Sequence, residues 1–466
     1  MIAFFRSLDP LKFIALVLLL LAIRLPLIFM GVPLIEPELF WMLIGEKMKD
    51  GFSMYSNIWD TLAPLSAATY YLLSLISAKS QVLLQIISIL LVLLHAAIFT
   101  YIANLHSIFK EKTLIPALLY ITVSSLFFDF YTLSPAMLAV TFLLIGFNFL
   151  VQQIKDTPKN ESMFYTGLIV GVASLFYLPS FLFIVVIILA LLVYSSPNLK
   201  FFLLLLFGVV FPLLCVGVYY YWIDGLNSFI NNFLEAFVYV EPIHYMPFSQ
   251  ILLVVALPGL LTLSGMVFMS LSQFTNFQYN IMRIMIGWVT FGCFTLLITD
   301  QVAPFQLYIL IPPMAYFGVQ FYMLLKRPMI VESFFLCFLV LVVAFTYVTY
   351  SMGFNKPDTL RYKLVESKDS LNIQGKHILV TGEDASLYLN NSLATPYINW
   401  RVAERQLSNL DNYYNVSMVY KNFKQDLPDV IVDERGIIPQ LFYRIPVLEK
   451  EYTTERENVY VRKNQH

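Results

Sequence analysis

Charge is what this sequence lacks. Only 13% of its 466 residues are charged, about half the share usual in a globular protein, while 59% are hydrophobic. That balance excludes, for most of the chain, the two or three soluble domains such a length ordinarily implies. A net charge of −1 and a pI near 6.5 provide no basic surface, so no nucleic-acid partner is expected. Cysteine is equally scarce. Cys215, Cys293 and Cys337 each stand in an apolar run, without metal-ligand spacing or an obvious disulfide role, and read as small buried hydrophobes. No His/Cys/Asp cluster has metal-site spacing, so no metal and no cofactor are expected. A lone Gly382 follows the run HILVTG and makes no G-x-G-x-x-G fingerprint, which excludes nucleotide binding there.

What is present is long apolar sequence. Mean hydropathy is +0.73, with 41 Phe and 29 Tyr. The charges are unevenly spread: residues 356–466 hold 30 of the chain's 59 Asp, Glu, Lys and Arg. A membrane domain over 1–355 followed by a water-soluble domain over 356–466 is therefore expected. Spanning helices need roughly 17–25 mainly apolar residues. Qualifying windows lie at 11–30, 82–106, 113–130, 133–151, 161–176, 177–195, 199–222, 249–271, 282–299, 302–325 and 329–352, about eleven spans. The first follows Arg6 and Lys12 as in a signal peptide. It lacks a small-residue cleavage site and reads as an uncleaved span.

Loop charges set the sides. Lys110 with Lys112, Lys155 with Lys159, Lys200, Arg283, and Lys326 with Arg327 lie between consecutive windows. The alternate loops carry Asp129, then Asp224, Glu235 and Glu241, then Asp300, without Lys or Arg. Basic loops stay cytoplasmic. With the N-terminus inside, the alternation requires that the apolar segment 64–78 not cross but lie at the outer interface. The C-terminal domain is then extracytoplasmic.

Residues 31–80 become one outward loop, long enough to be functional. Pro37 suits the first residue of a helix that Gly51 ends, and Pro64 opens a second. Leu39, Met42 and Leu43 form an apolar stripe, with Glu46, Lys47 and Lys49 on the wetter side. Glu36, Glu38 and Asp60 stand near the helix starts.

This layout resembles the GT-C superfamily of membrane glycosyltransferases. The first outer loop of that family has an Asp-Glu pair, an aromatic, an Ala-x-x-Met turn, a Gly, a Tyr and a Pro-Pro-Leu opening a second helix. Glu38, Trp41, Gly45, Met48, Gly51, Tyr55, Pro64 and Leu65 fall at the matching places. The resemblance implies a polytopic α-helical fold with a C-terminal α/β domain in the inner (plasma) membrane. It also implies inverting hexosyl or pentosyl transfer from a polyprenyl-phosphate or -diphosphate carrier to a protein, lipid or glycan. Two positions depart from the pattern: Pro37 replaces the Asp of the pair, and Leu62 stands where a basic residue meets the carrier phosphate.

On this resemblance Glu38 is the first candidate for general base and Glu36 the second; the alternative is that both offset the helix macrodipole. Asp60 either orients the acceptor, holds a metal, or caps the following helix. Asp129, in FFDFYTLSP, is a second acid or a solvated loop residue. Arg24, inside the first span, contacts carrier phosphate, snorkels to the interface or pairs with a loop carboxylate. Lys47, Lys49, Arg361 and Lys363 are further outward cations. Glu241 and His244, with Tyr239, Tyr245 and Trp222, suit a sugar face or simply a membrane interface.

Past Lys356, HILVTG, DVIVD and NVYVR read as short strands, with helical stretches around 400–411 and 414–425 between them, a partly parallel α/β sheet. Tyr388, Tyr397, Trp400, Tyr413 and Tyr414 are its recognition candidates, with core packing the alternative reading. Three functions follow. The first is an extracytoplasmic GT-C-type transferase. The second is an inactive GT-C-fold scaffold among partner proteins of a secretion or envelope-assembly complex, which the two departures favour. A transporter is third, because the sequence shows no internal inverted repeat and few intramembrane charges.

Overall fold

The computed structural model describes residues 1–155, 160–194, 198–239, 242–299, 301–355, 373–382, 384–394 and 396–463. The chain forms two compact units, each assembled from discontinuous segments.

The first unit takes in residues 1–33, 81–216 and 243–361 and is helical. Seven helices among the described residues are long and apolar enough to cross a membrane: Pro10–Met30, Gln81–Leu105, Pro135–Lys155, Leu199–Trp222, Phe248–Ser270, Pro304–Leu324 and Pro328–Ser351. Only 22% of the apolar window of Leu199–Trp222 is buried in the protein, against 89% for Pro304–Leu324. The first therefore turns most of its side chains to lipid, and the second sits at the bundle's centre. The remaining apolar windows are shorter or less uniform. Ile115–Val123 is a nine-residue helix, every residue of which is buried, followed by a 3-10 turn at Phe128–Tyr131. Surrounded by protein, this segment has no need of a full bilayer-length helix. Asn160–Phe176 packs tightly on Leu199–Trp222, because Gly167 and Gly208 let the two backbones meet where a Cβ would collide with a carbonyl.

The three cysteines do not pack inside. Cys215, Cys293 and Cys337 are all exposed at the protein surface. In a membrane bundle the lipid-facing surface is as apolar as the core, so an apolar run does not distinguish the two.

The second unit takes in residues 34–80, 217–242 and 362–466. Its first two helices are Glu36–Lys49 and Pro64–Ile76. Each has Pro at its first or second position, where no N–H is missed, and the first ends with Gly51 at φ +93°. The C-terminal segment contributes a five-stranded sheet, ordered Ser392–Leu393, His377–Val380, Val430–Val432, Val459–Arg462, Tyr452–Arg456. The first three strands are parallel and the last two antiparallel. Helices Trp400–Leu407, Tyr413–Gln425, Ile438–Arg444 and Pro446–Glu451 accompany it. Asp433, fully buried after its strand, accepts from Thr381 Oγ1 at 2.6 Å and from the amides of Ile437 and Ile438 at 3.1 and 2.9 Å. A buried acid so fully satisfied is structural.

Trp59, between helices Glu36–Lys49 and Pro64–Ile76, belongs to the core that contains Tyr397, Trp400, Phe423 and Leu441. Its amide donates to Pro396 O at 2.8 Å, and its carbonyl accepts from the Asn399 amide at 3.3 Å. Lys79 donates to Asn391 O at 2.6 Å and pairs with Glu46 at 3.1 Å. The 34–80 segment and the C-terminal sheet therefore share one core.

Candidate functional site: the outer-loop helices

Glu38, Trp41 and Gly45 recur at i, i+3 and i+7, which places them on one helix face. That face packs against Pro64–Ile76. Trp41 stacks on Tyr70, with centroids 5.6 Å apart and planes at 26°. A Cβ on Gly45 would collide with the Tyr70 carbonyl, so only glycine permits the approach. Glu38 has no exposed surface, and Glu36 is 4% exposed. The Tyr70 phenol is held well above its ordinary value, first by burial and then by the Glu38 charge. A carboxylate thus stands on the packed face of this helix, within electrostatic reach of a buried phenol.

The intervening segment is knotted around Tyr55. This residue takes φ +66°, a left-handed conformation that costs a non-glycine residue about 1–2 kcal/mol. Its ring is fully buried against Tyr220, Phe229 and Phe233, with centroids 5.3, 5.5 and 5.6 Å away. Its hydroxyl donates to Leu62 O at 2.6 Å, and Asn232 donates to its carbonyl at 2.8 Å. Burial, then Tyr220, then the Asp60 charge push the Tyr55 phenol well above its ordinary value.

Asp60 does not cap the second helix. The N-cap is Ala63, without a side-chain bond. Asp60 instead accepts from the Leu62 amide at 2.7 Å and from Asn399 Nδ2 at 3.1 Å. It closes a turn and ties it to the C-terminal segment. Leu62, at the position of the family's basic residue, is buried with both backbone groups engaged.

Lys47 is not an outward cation. It is 3% exposed, ion-paired with Asp426, and its Nζ lies 4.2 Å from the Phe52 ring centroid. The wet face expected from helical periodicity is covered there by a residue 379 positions away. Lys49 is exposed, its Nζ 3.3 Å from Ser74 O. Arg361, Lys363 and Glu241 lie outside the described residues.

In the first unit, Arg24 neither snorkels nor meets a carboxylate among the described residues. It is fully buried, donates to Ser88 Oγ at 2.9 Å and Ser124 O at 2.8 Å, and stacks 4.7 Å over the Tyr131 ring. Among the described residues its Nε has no hydrogen-bond partner. Ser88 in turn donates to Phe130 O at 3.1 Å, and Thr346 to Ser125 O at 2.9 Å. These bonds fix the turn that carries Asp129, which is 1% exposed rather than solvated. His244 is exposed, in a two-residue strand paired with Gln301–Val302, its ring 5.7 Å from Phe248.

Of the aromatic candidates in the C-terminal segment, Tyr388, Tyr397 and Trp400 are core residues, while Tyr413 and Tyr414 are exposed. The sequence reading missed Tyr70 and Asn399. Tyr70 carries a faint signal as a tyrosine in an apolar helix; Asn399, 339 residues from Asp60, carries none.

No family model and no curated protein matches the chain. Among solved structures it is similar to ArnT from Cupriavidus metallidurans bound to undecaprenyl phosphate, at a TM-score of 0.58 and 11% identity, covering 98% of both chains. The oligosaccharyltransferase of Archaeoglobus fulgidus also matches. With zinc and sulfate it gives a TM-score of 0.48 at 12% identity over 94% of this chain and 71% of that one. In its apo form it gives 0.49 at 11% over 98% and 75%. The chain is an integral membrane protein with the GT-C fold.

Proposed function

We propose that this protein is a GT-C-type glycosyltransferase that moves a sugar from a polyprenyl-phosphate or -diphosphate carrier to an extracytoplasmic acceptor. The observation that carries the reading is Glu38: a carboxylate without exposed surface on the helix that opens the outer loop. Buried acids are costly, and they concentrate where chemistry uses them. The undecaprenyl phosphate of the ArnT structure supports a carrier of that class.

In this scheme the acceptor hydroxyl attacks the anomeric carbon and Glu38 takes its proton. The bond from that carbon to the carrier phosphate breaks, with inversion, and the electron pair leaves on the phosphate oxygen. The departing charge needs a fixed cation. Arg24, whose charge meets no carboxylate among the described residues, is a proposed carrier-phosphate contact on the resemblance alone. Glu36 is the reserve base. Asp60, which accepts at both oxygens, positions the turn before the second helix, and Asp129, Glu241 and His244 are proposed substrate contacts on the resemblance alone.

The test is complementation in the native membrane. Glu38→Gln and Glu36→Gln, singly and together, are expected to insert normally while the polyprenyl-linked sugar pool accumulates, as read by lipid mass spectrometry. A double variant with the wild-type pool would falsify the base assignment. One observation favours the second reading, a scaffold without activity: the position of the family's phosphate-facing basic residue is a buried leucine with both backbone groups engaged. That reading predicts an unchanged pool together with loss of co-purifying envelope or secretion proteins on deletion.

A further inference from the structure

The C-terminal segment carries an open groove of about 620 Å³, within the 300–1,000 Å³ typical of small-ligand sites. Its floor is aromatic. Phe442 stacks on Tyr452, with centroids 5.8 Å apart and planes at 22°, and meets Tyr460 edge-on at 5.3 Å. Strand register explains the shared floor: Thr454 pairs with Tyr460, and Tyr452 lies two residues before Thr454, on the same side. The rim is mixed. Tyr443, 78% exposed, stands beside Lys450, Lys463, Glu449 and Thr454. Lys463 Nζ donates to Lys450 O at 2.9 Å, which holds one ammonium over the groove's edge. Among the described residues neither the Tyr443 nor the Tyr460 hydroxyl bonds to protein.

We infer that this groove is a binding site for an anionic saccharide. Phe442 and Tyr452 are buried and brace the floor from beneath, so the faces of Tyr443 and Tyr460 are the ones left to pack the C–H faces of a sugar ring, while hydroxyls and charged rim groups bond its oxygens. Among the described residues of the rim, two ammonium groups against one carboxylate select a negatively charged sugar. A protein strand is a poorer occupant. The neighbouring edge strand Tyr452–Arg456 has an irregular register between Thr454 and Arg456, and Glu455, Arg456 and Glu457 crowd its end. Charges and bulges there discourage backbone pairing. The site is separate from the catalytic proposal and does not depend on Glu38.

The experiment titrates the full-length protein in nanodiscs with maltose, cellobiouronic acid and inorganic phosphate, read by saturation-transfer NMR. The uronate disaccharide is expected to bind saturably and about tenfold more tightly than maltose. Tyr443→Ala, at an exposed position that leaves the core intact, is expected to weaken both sugars. Lys450→Gln with Lys463→Gln is expected to abolish the preference for the acidic one. Glu38→Gln is expected to leave all three titrations unchanged, so loss of catalysis and loss of this site remain separable. Absence of saturable sugar binding, indifference to Tyr443→Ala, or phosphate alone competing as strongly as the uronate would each overturn the inference. So would Tyr443-dependent binding of phosphatidylglycerol vesicles in place of sugar.

Discussion

Trp59→Ala tests whether the 34–80 segment and the C-terminal sheet are one cooperative structure. Trp59 is 8% exposed and meets Tyr397 edge-on at 5.3 Å. Truncating a buried tryptophan to alanine costs about 3–5 kcal/mol through lost burial and the cavity left behind. The backbone bonds to Pro396 and from Asn399 survive the substitution, so the low end, about 3 kcal/mol, applies. A domain of 150–250 residues loses about 2–4 °C per kcal/mol, which predicts a fall of roughly 6–12 °C for the transition of this unit. Hydrogen exchange by mass spectrometry should show faster exchange in His377–Val380 and Val430–Val432, strands far from Trp59 in sequence. Faster exchange confined to residues near 59, with those strands as protected as before, would refute the shared core.

Asp426→Asn should destabilise the second unit by about 3–5 kcal/mol by stranding the Lys47 ammonium, whereas Lys47→Met with Asp426→Leu should recover most of that loss; paired thermal melts check this. Arg24→Gln should cost about 1–3 kcal/mol, because Ser124 O loses its donor, and should increase proteolysis at the 124–131 turn. Burial and the Glu38 charge hold the Tyr70 phenol above its ordinary value, so it stays neutral as pH rises through the usual tyrosine range. Tyr70→Phe should therefore leave the alkaline limb of any rate profile in place, and ultraviolet difference titration should lose no normally titrating tyrosine.

Local constraints made much of this fold legible. Pro37, Gly51 and Pro64 announce helices Glu36–Lys49 and Pro64–Ile76 within a residue or two, because proline and glycine act on their own backbone. HILV, VIV and VYVR read as strands by β-branched content. Ser392–Leu393 is too short to read, and Tyr452–Arg456 is too charged. The candidate site was legible only as residue types. Burial of Glu38 follows from its helix face, but the covering of Lys47 by Asp426 and the tie of Asp60 to Asn399 span more than 300 positions. Spacing along a helix carries no record of such partners. Arg24 shows the same limit: its window announces a costly buried charge, and only the packing reveals Ser88, Ser124 and Tyr131 as what it grips.

The most direct test of the account is sugar transfer in proteoliposomes. Purified wild type and Glu38→Gln would be reconstituted with polyprenyl-phosphate-linked sugar and native membrane extract as acceptor source, with release of free carrier phosphate measured over time. Loss of a general base typically costs 10²–10⁴ in rate, so the account predicts a drop of at least about a hundredfold for Glu38→Gln at unchanged melting temperature. Carrier release at the wild-type rate by Glu38→Gln would contradict it.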